Sequence, residues 1–552
     1  MIDVLGNSFT MIGAAVGAVL LCLIQVYQVH SYVAAVVEFS PTGVDGPVVP
    51  PLTVANNLYR YEEFVLEAKK SFADIIVFPE YGLTTTFPSN NRTMALEFGQ
   101  VVPQKSDNGN PCADDNQSIE YETVRRLSCM ARDNRIYLVA NLIERDDKQG
   151  AGTMLYNTNV AFDSNGTVVS RYRKHNLFGE FALNTTTESD ISIFEAFGAR
   201  FGMVTCFDLM FQHPAVTLVR KYGITDLIFP TAWIHELPFL TGVQTQVMWA
   251  HAANVNFLAA GYNHLSAGSG GSGIYQGKLG RVKDATPWET SSFTLIGPLP
   301  ANGPKRLNEK LIQRLQRREI RTSFQKNRPS AGFSERRAPF YYHEDLTNYS
   351  SIPIEMRREI MNYSLCNNNL CCDLEVSGTL TDQTVFRFFV YDGVREFGNG
   401  YYKGHKIQTC ALVRCKSSDN PVQNCGLLLE DTALNVNLNH VRISGNFNVE
   451  TLAGPNIVDG YFNILSGNQY IFKRELAVGN VSKVDFQLAE KIDRNILTFG
   501  VWGAVFPFID DGTTDYLRPA SWILPTAIAV SAVFIVGCLL LTVLCFTPNK
   551  YK

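Results

Sequence analysis

Between Tyr32 and Gly280 the chain alternates apolar, β-prone runs with segments whose apolar positions recur at helical spacing. Six runs predict strands: YVAAVVEF (32–39), DIIVFP (74–79), IYLVANLI (136–143), FGMVTC (201–206), DLIFP (226–230) and NFLAAGY (256–262). Two more, Tyr156–Phe162 and Thr167–Tyr172, predict a hairpin around Asn165-Gly166. Four segments predict helices: Asn56–Ala73, Tyr121–Asn134, Pro214–Tyr222 and Thr241–Val255. Because several strands are apolar along their whole length, as in a sheet covered on both faces, we predict an α/β layered domain.

The pattern changes after Gly280. Residues 305–321 (KRLNEKLIQRLQRREIR) are a charged amphipathic stretch, which we interpret as a solvated linking helix. Short alternating strands then dominate as far as Phe506, which is typical of a β-rich domain. We therefore expect an α/β domain over 32–304, a charged linking segment over 305–334 and a smaller β-rich domain over 335–509.

The N-terminal end carries sixteen uncharged residues, 11–26. That run is short for a membrane span of about 20 residues but suits the core of a secretory signal. Val29 and Ser31 are small enough for the −3 and −1 positions of a cleavage site. We predict a signal peptide over 1–31, with a buried N-terminal helix as the alternative.

The C-terminal end carries a 24-residue, uncharged and largely apolar run, 523–546, which is long enough to cross a bilayer. Small residues and a polar spacer precede it, so residues 510–522 match a GPI attachment region. Asp511 would be the attachment residue, and the hydrophobic tail would be removed. A retained span is the alternative, because Lys550 and Lys552 follow the run. Either way, we expect the globular part to be tethered at the extracellular face of the cell membrane.

The Asn-x-Ser/Thr sequences fit a secreted chain, and the charge balance bears on its possible partners. Seven Asn-x-Ser/Thr sequences predict N-glycosylation, at Asn91, Asn116, Asn165, Asn184, Asn348, Asn362 and Asn480. The formal net charge is −4, from 48 Lys and Arg against 52 Asp and Glu, and both signs are interspersed. Since this balance provides no basic footprint, we expect no nucleic-acid partner.

Cysteine usage indicates disulfides. Of twelve cysteines, Cys22, Cys538 and Cys545 lie in the terminal runs, which leaves nine. An odd number in a secreted chain indicates one free thiol and up to eight cysteines available for pairing. Six of the nine lie within sixty residues, at Cys366, Cys371, Cys372, Cys410, Cys415 and Cys425. They lack C-x-x-C pairs and partner histidines, so we expect disulfides rather than zinc, with the connectivity left open.

Two polar residues end predicted strands, and active sites in α/β sheets gather beyond the carboxyl ends of strands. Glu80 ends IIVFPE and Cys206 ends FGMVTC, while Lys174 follows the predicted hairpin. Taken singly, each has an ordinary explanation as a solvated glutamate, a core cysteine or a surface cation. Together they provide a thiol nucleophile, a carboxylate that carries its proton and an ammonium that stabilises an oxyanion.

Two other catalytic arrangements are compatible with the residue types but lack their local signatures. A Cys–His pair would use His175 or His213, but the chain lacks the C-G-S-C-W type of segment found around the papain-like cysteine. The Gly-Ser-Gly triplets at 268–270 and 271–273 lie in a glycine run and do not predict the elbow of a serine hydrolase.

Three segments, VFPE (77–80), RYRKHNLF (171–178) and GMVTCFDL (202–209), resemble in order and spacing the Glu–Lys–Cys signature of the nitrilase superfamily of carbon–nitrogen hydrolases. The longer segments RYRKHNLFGE, TCFDLMFQHPAVTLV, FPTAW and GSGIY are similar to its vanin and biotinidase branch. The resemblance covers residues 32–280 most strongly. It implies an α-β-β-α sandwich, followed by a smaller β-rich base domain and a GPI signal.

The resemblance also implies roles for individual residues. Glu80 would be the proton acceptor, Lys174 the proton donor or oxyanion stabiliser and Cys206 the nucleophile. Weaker candidates for the substrate pocket are Glu180, Trp233 and Tyr275, the last two being equally compatible with core packing. Tyr81 departs from the smaller or acidic residue expected after the glutamate, which bears on substrate fit. The implied reaction needs no metal and no cofactor.

The implied activity is that of an extracellular, membrane-tethered amidase that hydrolyses a linear amide through a cysteine thioester. The expected partner is a small-molecule amide, foremost pantetheine, which would give pantothenate and cysteamine; the oligomeric state is left open. Hydrolysis of biotin amides is the alternative within the branch, because RYRKHNL suits both. A non-catalytic cell-surface glycoprotein is the alternative from another class, and the presence of all three catalytic residue types argues against it.

Overall fold

The structure, a computed structural model, describes residues 31–507 with gaps. The gaps are 108, 116–117, 149–151, 302, 306–338, 381–384, 398–401, 418–419, 421–423, 429–435 and 478. The predicted signal peptide before Ser31, nearly all of the linking segment, the GPI region with Asp511, the C-terminal tail and Asn116 lie outside the described residues. Within the described part, no helix has the length and apolar character needed to span a bilayer.

The first part of the chain forms two six-stranded sheets and their covering helices. Its strands are β1 (Ser31–Glu38), β2 (Ile75–Val77), β3 (Tyr137–Lys148), β4 (Gly152–Phe162), β5 (Val168–Arg173), β6 (Ile193–Ala196), β7 (Ala199–Met203), β8 (Asp226–Thr231), β9 (Glu236–Leu237), β10 (Asn256–Gly261), β11 (Ser272–Gln276), β12 (Arg281–Ala285) and β13 (Phe293–Pro300). Its α-helices are α1 (Pro50–Lys70), α2 (Arg92–Phe98), α3 (Ile119–Asn134), α4 (Thr217–Arg220) and α5 (Gly242–Ala253). The strand orders are β13-β1-β2-β3-β4-β5 and β12-β11-β10-β8-β7-β6.

The two sheets stack face to face and each carries helices on its outer side. Between the sheets, Val36 and Val77 share an apolar core with Met203 and Ile228. Helices α1 and α3 cover the first sheet through a second core, and α5 covers the other, where Trp249 lies 5.7 Å from the ring of Phe257. The predicted α-β-β-α sandwich is confirmed, and burial of both sheet faces explains why the strands are apolar throughout.

Two predicted elements differ from the structure for local reasons. The strand predicted over 201–206 stops at Met203, because the Thr205 backbone N–H donates to the Asp208 carboxylate instead of to a neighbouring strand, and Cys206 is left-handed. The helix predicted over Pro214–Tyr222 is α-helical only in α4, after a wide turn in which His213 is extended (φ −106°, ψ 125°). The α conformation is disfavoured for a residue before proline, which accounts for the extended backbone of His213.

The second part of the chain is a two-sheet β-sandwich. Its strands are β14 (Tyr342–His343), β15 (Ser350–Ile354), β16 (Met361–Asn367), β17 (Leu370–Leu380), β18 (Val385–Phe397), β19 (Tyr402–Cys415), β20 (Val436–Asn448), β21 (Thr451–Asp459), β22 (Tyr470–Leu476), β23 (Val481–Leu488), β24 (Ile492–Asp493) and β25 (Ile496–Val505). The strand orders are β15-β18-β19-β25-β21 and β16-β17-β20-β23-β22. The inner faces meet in one core that includes Phe388, Leu412 and Phe486.

The two parts pack as one compact unit up to Phe506. A single core joins Trp249 of α5 to Phe389 and Trp502 of the β-sandwich. A two-residue parallel ladder also links them, because β14 pairs with β9. The β-sandwich therefore covers the face of the α/β part that carries α5 and β9.

The disulfides agree with the number of cysteines in the globular part of the chain. The pairs are Cys112–Cys129, Cys366–Cys371, Cys372–Cys410 and Cys415–Cys425. Among the described cysteines, Cys206 is free and buried. The expectation of disulfides, with one free thiol and up to eight cysteines available for pairing, is confirmed, and four disulfides fit an oxidising extracellular compartment.

The sequons that the structure describes differ in exposure. Five of the asparagines are exposed: Asn91, Asn165, Asn348, Asn362 and Asn480. Asn184 is half-buried, and its Oδ1 accepts hydrogen bonds from Arg92 Nη1 and the Leu155 backbone N–H, both at 2.9 Å. Glycosylation of these sites stays a prediction.

Candidate active site

Cys206 lies on a strained turn directly after β7. Its φ is +46°, a left-handed value that a residue with a Cβ adopts at a cost of order 1–3 kcal/mol. The turn is supported by reciprocal capping: the Thr205 side chain accepts the backbone N–H of Asp208, and the Asp208 carboxylate accepts that of Thr205 at 3.2 Å. The Cys206 side chain is thereby held at the floor of a cavity.

Lys174 lies immediately after β5 and forms ion pairs with two carboxylates. Its Nζ lies 2.8 Å from Glu80 Oε1 and 2.9 Å from Glu180 Oε2. These three side chains are 1–4% exposed. Buried charges persist only when they are paired and hydrogen-bonded. Lys174 is therefore part of a buried ion cluster and is not a surface cation that happens to lie near acidic residues.

The same two carboxylates accept further hydrogen bonds. Asn157 Nδ2 donates to Glu80 Oε1 at 2.8 Å and to Glu180 Oε1 at 2.6 Å. The Tyr81 hydroxyl donates to Glu180, and the Ala232 backbone N–H donates to Glu80 Oε2 at 2.8 Å. Each carboxylate oxygen thus faces hydrogen-bond donors, which hold both glutamates around one ammonium.

Three buried asparagines that the sequence reasoning missed support this cluster from behind. Asn141 Nδ2 donates to Asn157 Oδ1 at 2.6 Å and to Asn159 Oδ1 at 2.9 Å. Asn159 Nδ2 in turn donates to Thr205 Oγ1 at 2.9 Å, at the cysteine turn. A signal was present, since asparagines within apolar strand runs must find hydrogen-bond partners when buried.

Electrostatics distinguishes the lysine from the thiol. Burial alone would lower the pKa of Lys174, but the charges of Glu180 and Glu80 reverse that effect and hold the pKa well above its usual value. Burial, reinforced by the charge of Glu80, raises the pKa of Cys206 strongly, against the opposing influence of Lys174. At neutral pH the resting site therefore holds a charged ammonium and a neutral thiol.

Asp208 ties the lysine segment to the cysteine turn. It accepts hydrogen bonds from the Tyr172 hydroxyl at 2.7 Å and from the backbone N–H of Asn176 at 2.8 Å. Burial raises the pKa of Asp208 to about 6, although these hydrogen bonds act in the opposite direction. The two segments that carry Lys174 and Cys206 are thus fixed to each other.

A cavity of about 320 Å³ opens above Cys206. It is lined by Phe178, Gly179, Phe181, Cys206, Phe207, Met210, Ala232, Trp233, Ile234, Glu236, Leu240, Tyr342 and Phe397. Trp233 is thus at the cavity, while Glu180 lies beneath it in the charge cluster. Tyr275 is not among the residues that line this cavity; its buried hydroxyl donates to Gln246 Oε1 at 2.9 Å, which fits the core-packing alternative.

The two histidines that a Cys–His pair would use contact other residues. His175 Nδ1 lies 3.1 Å from Thr186 Oγ1, and His213 Nδ1 lies 2.9 Å from Thr217 Oγ1. Neither ring hydrogen-bonds to Cys206 in the part of the chain that the structure describes. Within that same part, no cluster of three or more His, Cys, Asp or Glu side chains is arranged to hold a metal ion.

Comparison with known proteins gives the family. The carbon-nitrogen hydrolase model matches residues 34–292, and the vanin C-terminal domain model matches 339–507. Vanin-like protein 1 of Drosophila melanogaster is 32% identical, over 86% of this chain and 85% of that protein. A Sus scrofa pantetheinase is 30% identical over 79% and 83%, and a Rattus norvegicus biotinidase is 31% identical over 67% and 74%.

These matches span both parts of the fold and contain the whole Glu80–Lys174–Cys206 arrangement. Two of these relatives carry the names of enzymes, pantetheinase and biotinidase. The chain therefore belongs to the carbon-nitrogen hydrolase family, in the group that carries a vanin C-terminal domain.

Proposed function

We propose that this protein is a cysteine-dependent amidase of the extracellular cell surface, and that its substrate is pantetheine. The observation that carries the proposal is the free Cys206 thiol at the floor of an apolar cavity, above the buried pair of Lys174 and Glu80. The pantetheinase relatives support the substrate. They match 79% and 84% of this chain, against 67% for the rat biotinidase.

The first half of the reaction follows from the protonation states. A neutral thiol is a weak nucleophile, so its proton must leave as it attacks. Glu80 takes that proton while Cys206 Sγ bonds to the amide carbon, and Lys174, which keeps its own proton, stabilises the negative oxygen. The carbon–nitrogen bond then breaks, Glu80 returns the proton to the leaving amine, and an acyl thioester remains on Cys206.

The second half regenerates the enzyme. Glu80, now ionised again, takes a proton from a water molecule as that water attacks the thioester carbonyl. The carbon–sulfur bond breaks, the acid leaves, and the proton on Glu80 returns to the Cys206 sulfur. The same carboxylate thus serves both halves, which fits its position between Lys174 and the Ala232 backbone N–H.

The location belongs to the same proposal. The hydrophobic N-terminal run, the sequons and the four disulfides support export through the secretory pathway. The C-terminal run supports a lipid anchor at Asp511 or a single retained span. Treatment of intact cells with a phosphatidylinositol-specific phospholipase distinguishes the two, since only a GPI-anchored enzyme is released.

The function is tested by cysteamine release from pantetheine, using the purified ectodomain from Tyr32 to about Asp511. We expect Cys206→Ala to reduce kcat/KM by at least 10⁴-fold, because no other group replaces the nucleophile. His213→Gln, which alters a histidine that does not touch Cys206, should retain activity within a few-fold. Loss of activity in the histidine variant alone would contradict the proposed roles. Absence of turnover in the wild type would reject pantetheine, and the biotin amide biocytin would then be assayed.

A further inference from the structure

The cavity above Cys206 contains one charged group. Of the described residues that line it, only Glu236 has an ionisable carboxylate; most others are aromatic or aliphatic. The Glu236 side chain is 20% exposed. A charge in a largely apolar cavity is costly unless it has a partner, so its presence needs an explanation.

That partner comes from the β-sandwich. Arg395 Nη2 lies 2.7 Å from Glu236 Oε2, and Arg395 Nε lies 2.8 Å from Glu344 Oε1. Arg395 and Glu344 are each only 4% exposed, and the Tyr349 hydroxyl donates to Glu344. Two carboxylates therefore share one guanidinium, so the group of three has one carboxylate more than it has cations. Of the two carboxylates, Glu236 is the more exposed, at 20% against 4% for Glu344.

The backbone places this group accurately at the cavity wall. Glu236 of β9 is the register partner of Tyr342 of β14, and both residues line the cavity. The Glu344 backbone N–H also donates to the Leu237 carbonyl at 2.8 Å. The Arg395 guanidinium lies 4.5 Å from the centre of the Phe397 ring, which lines the cavity as well. The β-sandwich thus provides both the wall and the counter-ion.

We propose that Glu236 selects the acyl part of the substrate by accepting hydrogen bonds from its hydroxyl or amide N–H groups. It excludes acyl chains that end in a carboxylate, and Arg395 acts as its positioning residue. Arg395 holds Oε2, while Oε1 makes no hydrogen bond within the described part of the chain. A charged acceptor in an apolar surrounding forms stronger hydrogen bonds than a neutral one. The inference rests on the proposed amidase function and names the chemistry that its acyl pocket recognises.

The test compares three amides of cysteamine. They are pantetheine, an n-alkanoyl amide of matched length without hydroxyls, and an amide whose acyl chain ends in a carboxylate. For Glu236→Leu, kcat/KM for pantetheine should fall about 30-fold, mainly through KM, because a charge-assisted hydrogen bond is lost. The alkanoyl amide should be hydrolysed equally well or better. Glu236→Gln should lose about fivefold on pantetheine and should gain activity on the carboxylate-ended amide.

Control variants separate recognition from structural damage. Glu355→Leu removes an exposed carboxylate of the β-sandwich and should change none of the three values. Arg395→Lys keeps the positive charge and should retain more pantetheine selectivity than Arg395→Met. Equal losses on pantetheine and on the alkanoyl amide in Glu236→Leu would overturn the inference, since they would indicate a structural role only.

A second readout does not depend on turnover. Each amide, with its cysteamine sulfur methylated so that it cannot consume the reagent, is tested for protection of Cys206 against alkylation by iodoacetamide, in the wild type and in Glu236→Leu. S-methylpantetheine should protect the wild type at a roughly tenfold lower concentration than the variant. Equal protection in both proteins, or none in either, would overturn the role of Glu236. Selective protection without hydrolysis would retain that role and reject the amidase function.

Discussion

At the scale of single residues, Tyr81 shows how closely the charge cluster is built. Its φ is +57°, which is unusual for an aromatic residue, and its side chain is 3% exposed. The strained backbone directs its hydroxyl to Glu180, while its backbone N–H donates to Asn141 Oδ1 at 2.9 Å. Tyr81 therefore acts on the position of Glu180, and so on Lys174, rather than on the walls of the substrate cavity.

This position leads to a prediction for Tyr81→Phe. The variant removes one hydrogen bond to a buried charged group, and such bonds contribute about 1.5–3 kcal/mol. We expect kcat to fall about tenfold with little change in KM, because Lys174 is displaced and the cavity is not. The matched control is Tyr275→Phe, which removes a buried hydroxyl outside the cavity and should leave kcat within twofold. A change in KM alone for Tyr81→Phe would contradict this role.

The same residues show what the sequence could reveal about the site. Glu80, Lys174 and Cys206 end or follow strands in the same layered domain, so their meeting was predictable from topology and resemblance. Glu236 was not, because its importance depends on a guanidinium more than 150 residues away in the chain. Periodicity and motif spacing describe local elements, and they contain no information about which distant strand supplies a counter-ion.

At the scale of elements, α5 and β21 make a close contact between the two parts of the fold. Gly454 of β21 lies against the backbone of α5, where an added Cβ would stand well inside van der Waals distance of the Met248 carbonyl oxygen. Beside it, Gln244 Nε2 donates to Asn456 Oδ1 at 2.7 Å. The strand can approach the helix this closely only because residue 454 has no side chain.

Gly454→Ala is therefore expected to destabilise the whole unit. The clash is with backbone, which cannot rotate away, and overpacking of this kind costs typically about 1–3 kcal/mol. Urea unfolding should shift to lower denaturant by the corresponding amount. Gly46→Ala is the matched control, because a Cβ at Gly46 meets nothing within 4 Å, and it should change stability by less than about 0.5 kcal/mol. Equal effects of the two substitutions would show that the contact is not tight.

The elements themselves were largely predictable. The six apolar runs correspond to β1, β2, β3, β7, β8 and β10, and the α1 and α3 segments are amphipathic in sequence. The β-sandwich was recognised only as β-rich. Strand β21 is buried on both faces along most of its length, and alternation cannot reveal a partner that covers the second face. The contact between α5 and β21 was therefore not predictable from the sequence.

At the scale of the whole molecule, three histidines lie where the two parts of the fold meet. The rings of His235 and Phe462 are 4.9 Å apart, those of His251 and Phe472 are 4.7 Å apart, and those of His405 and Phe211 are 6.2 Å apart. Burial lowers the pKa of His235 and of His251 to about 3, and that of His405 to about 4. All three rings are therefore neutral when the interface is formed.

These depressed pKa values make the interface sensitive to acid. The unfolded chain binds protons at histidine below about pH 6.5, whereas folded His251 stays neutral down to about pH 3. The contribution of His251 to the free energy of unfolding is thus fully present above pH 6.5 and is lost as the pH falls below that value. Glu38 acts in the opposite direction, because burial raises its pKa to about 7 and the folded state then binds the extra proton. The pH profile of the wild type alone therefore does not isolate the histidines.

A comparison with His251→Leu does isolate one of them, because the contribution of Glu38 is common to both proteins and cancels. The substitution places an apolar side chain against Phe472 and removes the titrating imidazole ring. Between pH 7.5 and pH 5.0, the free energy of unfolding of the variant should rise relative to the wild type by about 2 kcal/mol, from 1.36 kcal/mol per pH unit below 6.5. Urea titrations followed by tryptophan fluorescence at pH 8.5, 7.5 and 5.0 measure it. The difference in unfolding free energy between the two proteins should be the same at pH 8.5 and at pH 7.5 and should change by about 2 kcal/mol at pH 5.0. A difference that stays the same at all three pH values would show that His251 binds its proton as readily in the folded interface as in the unfolded chain.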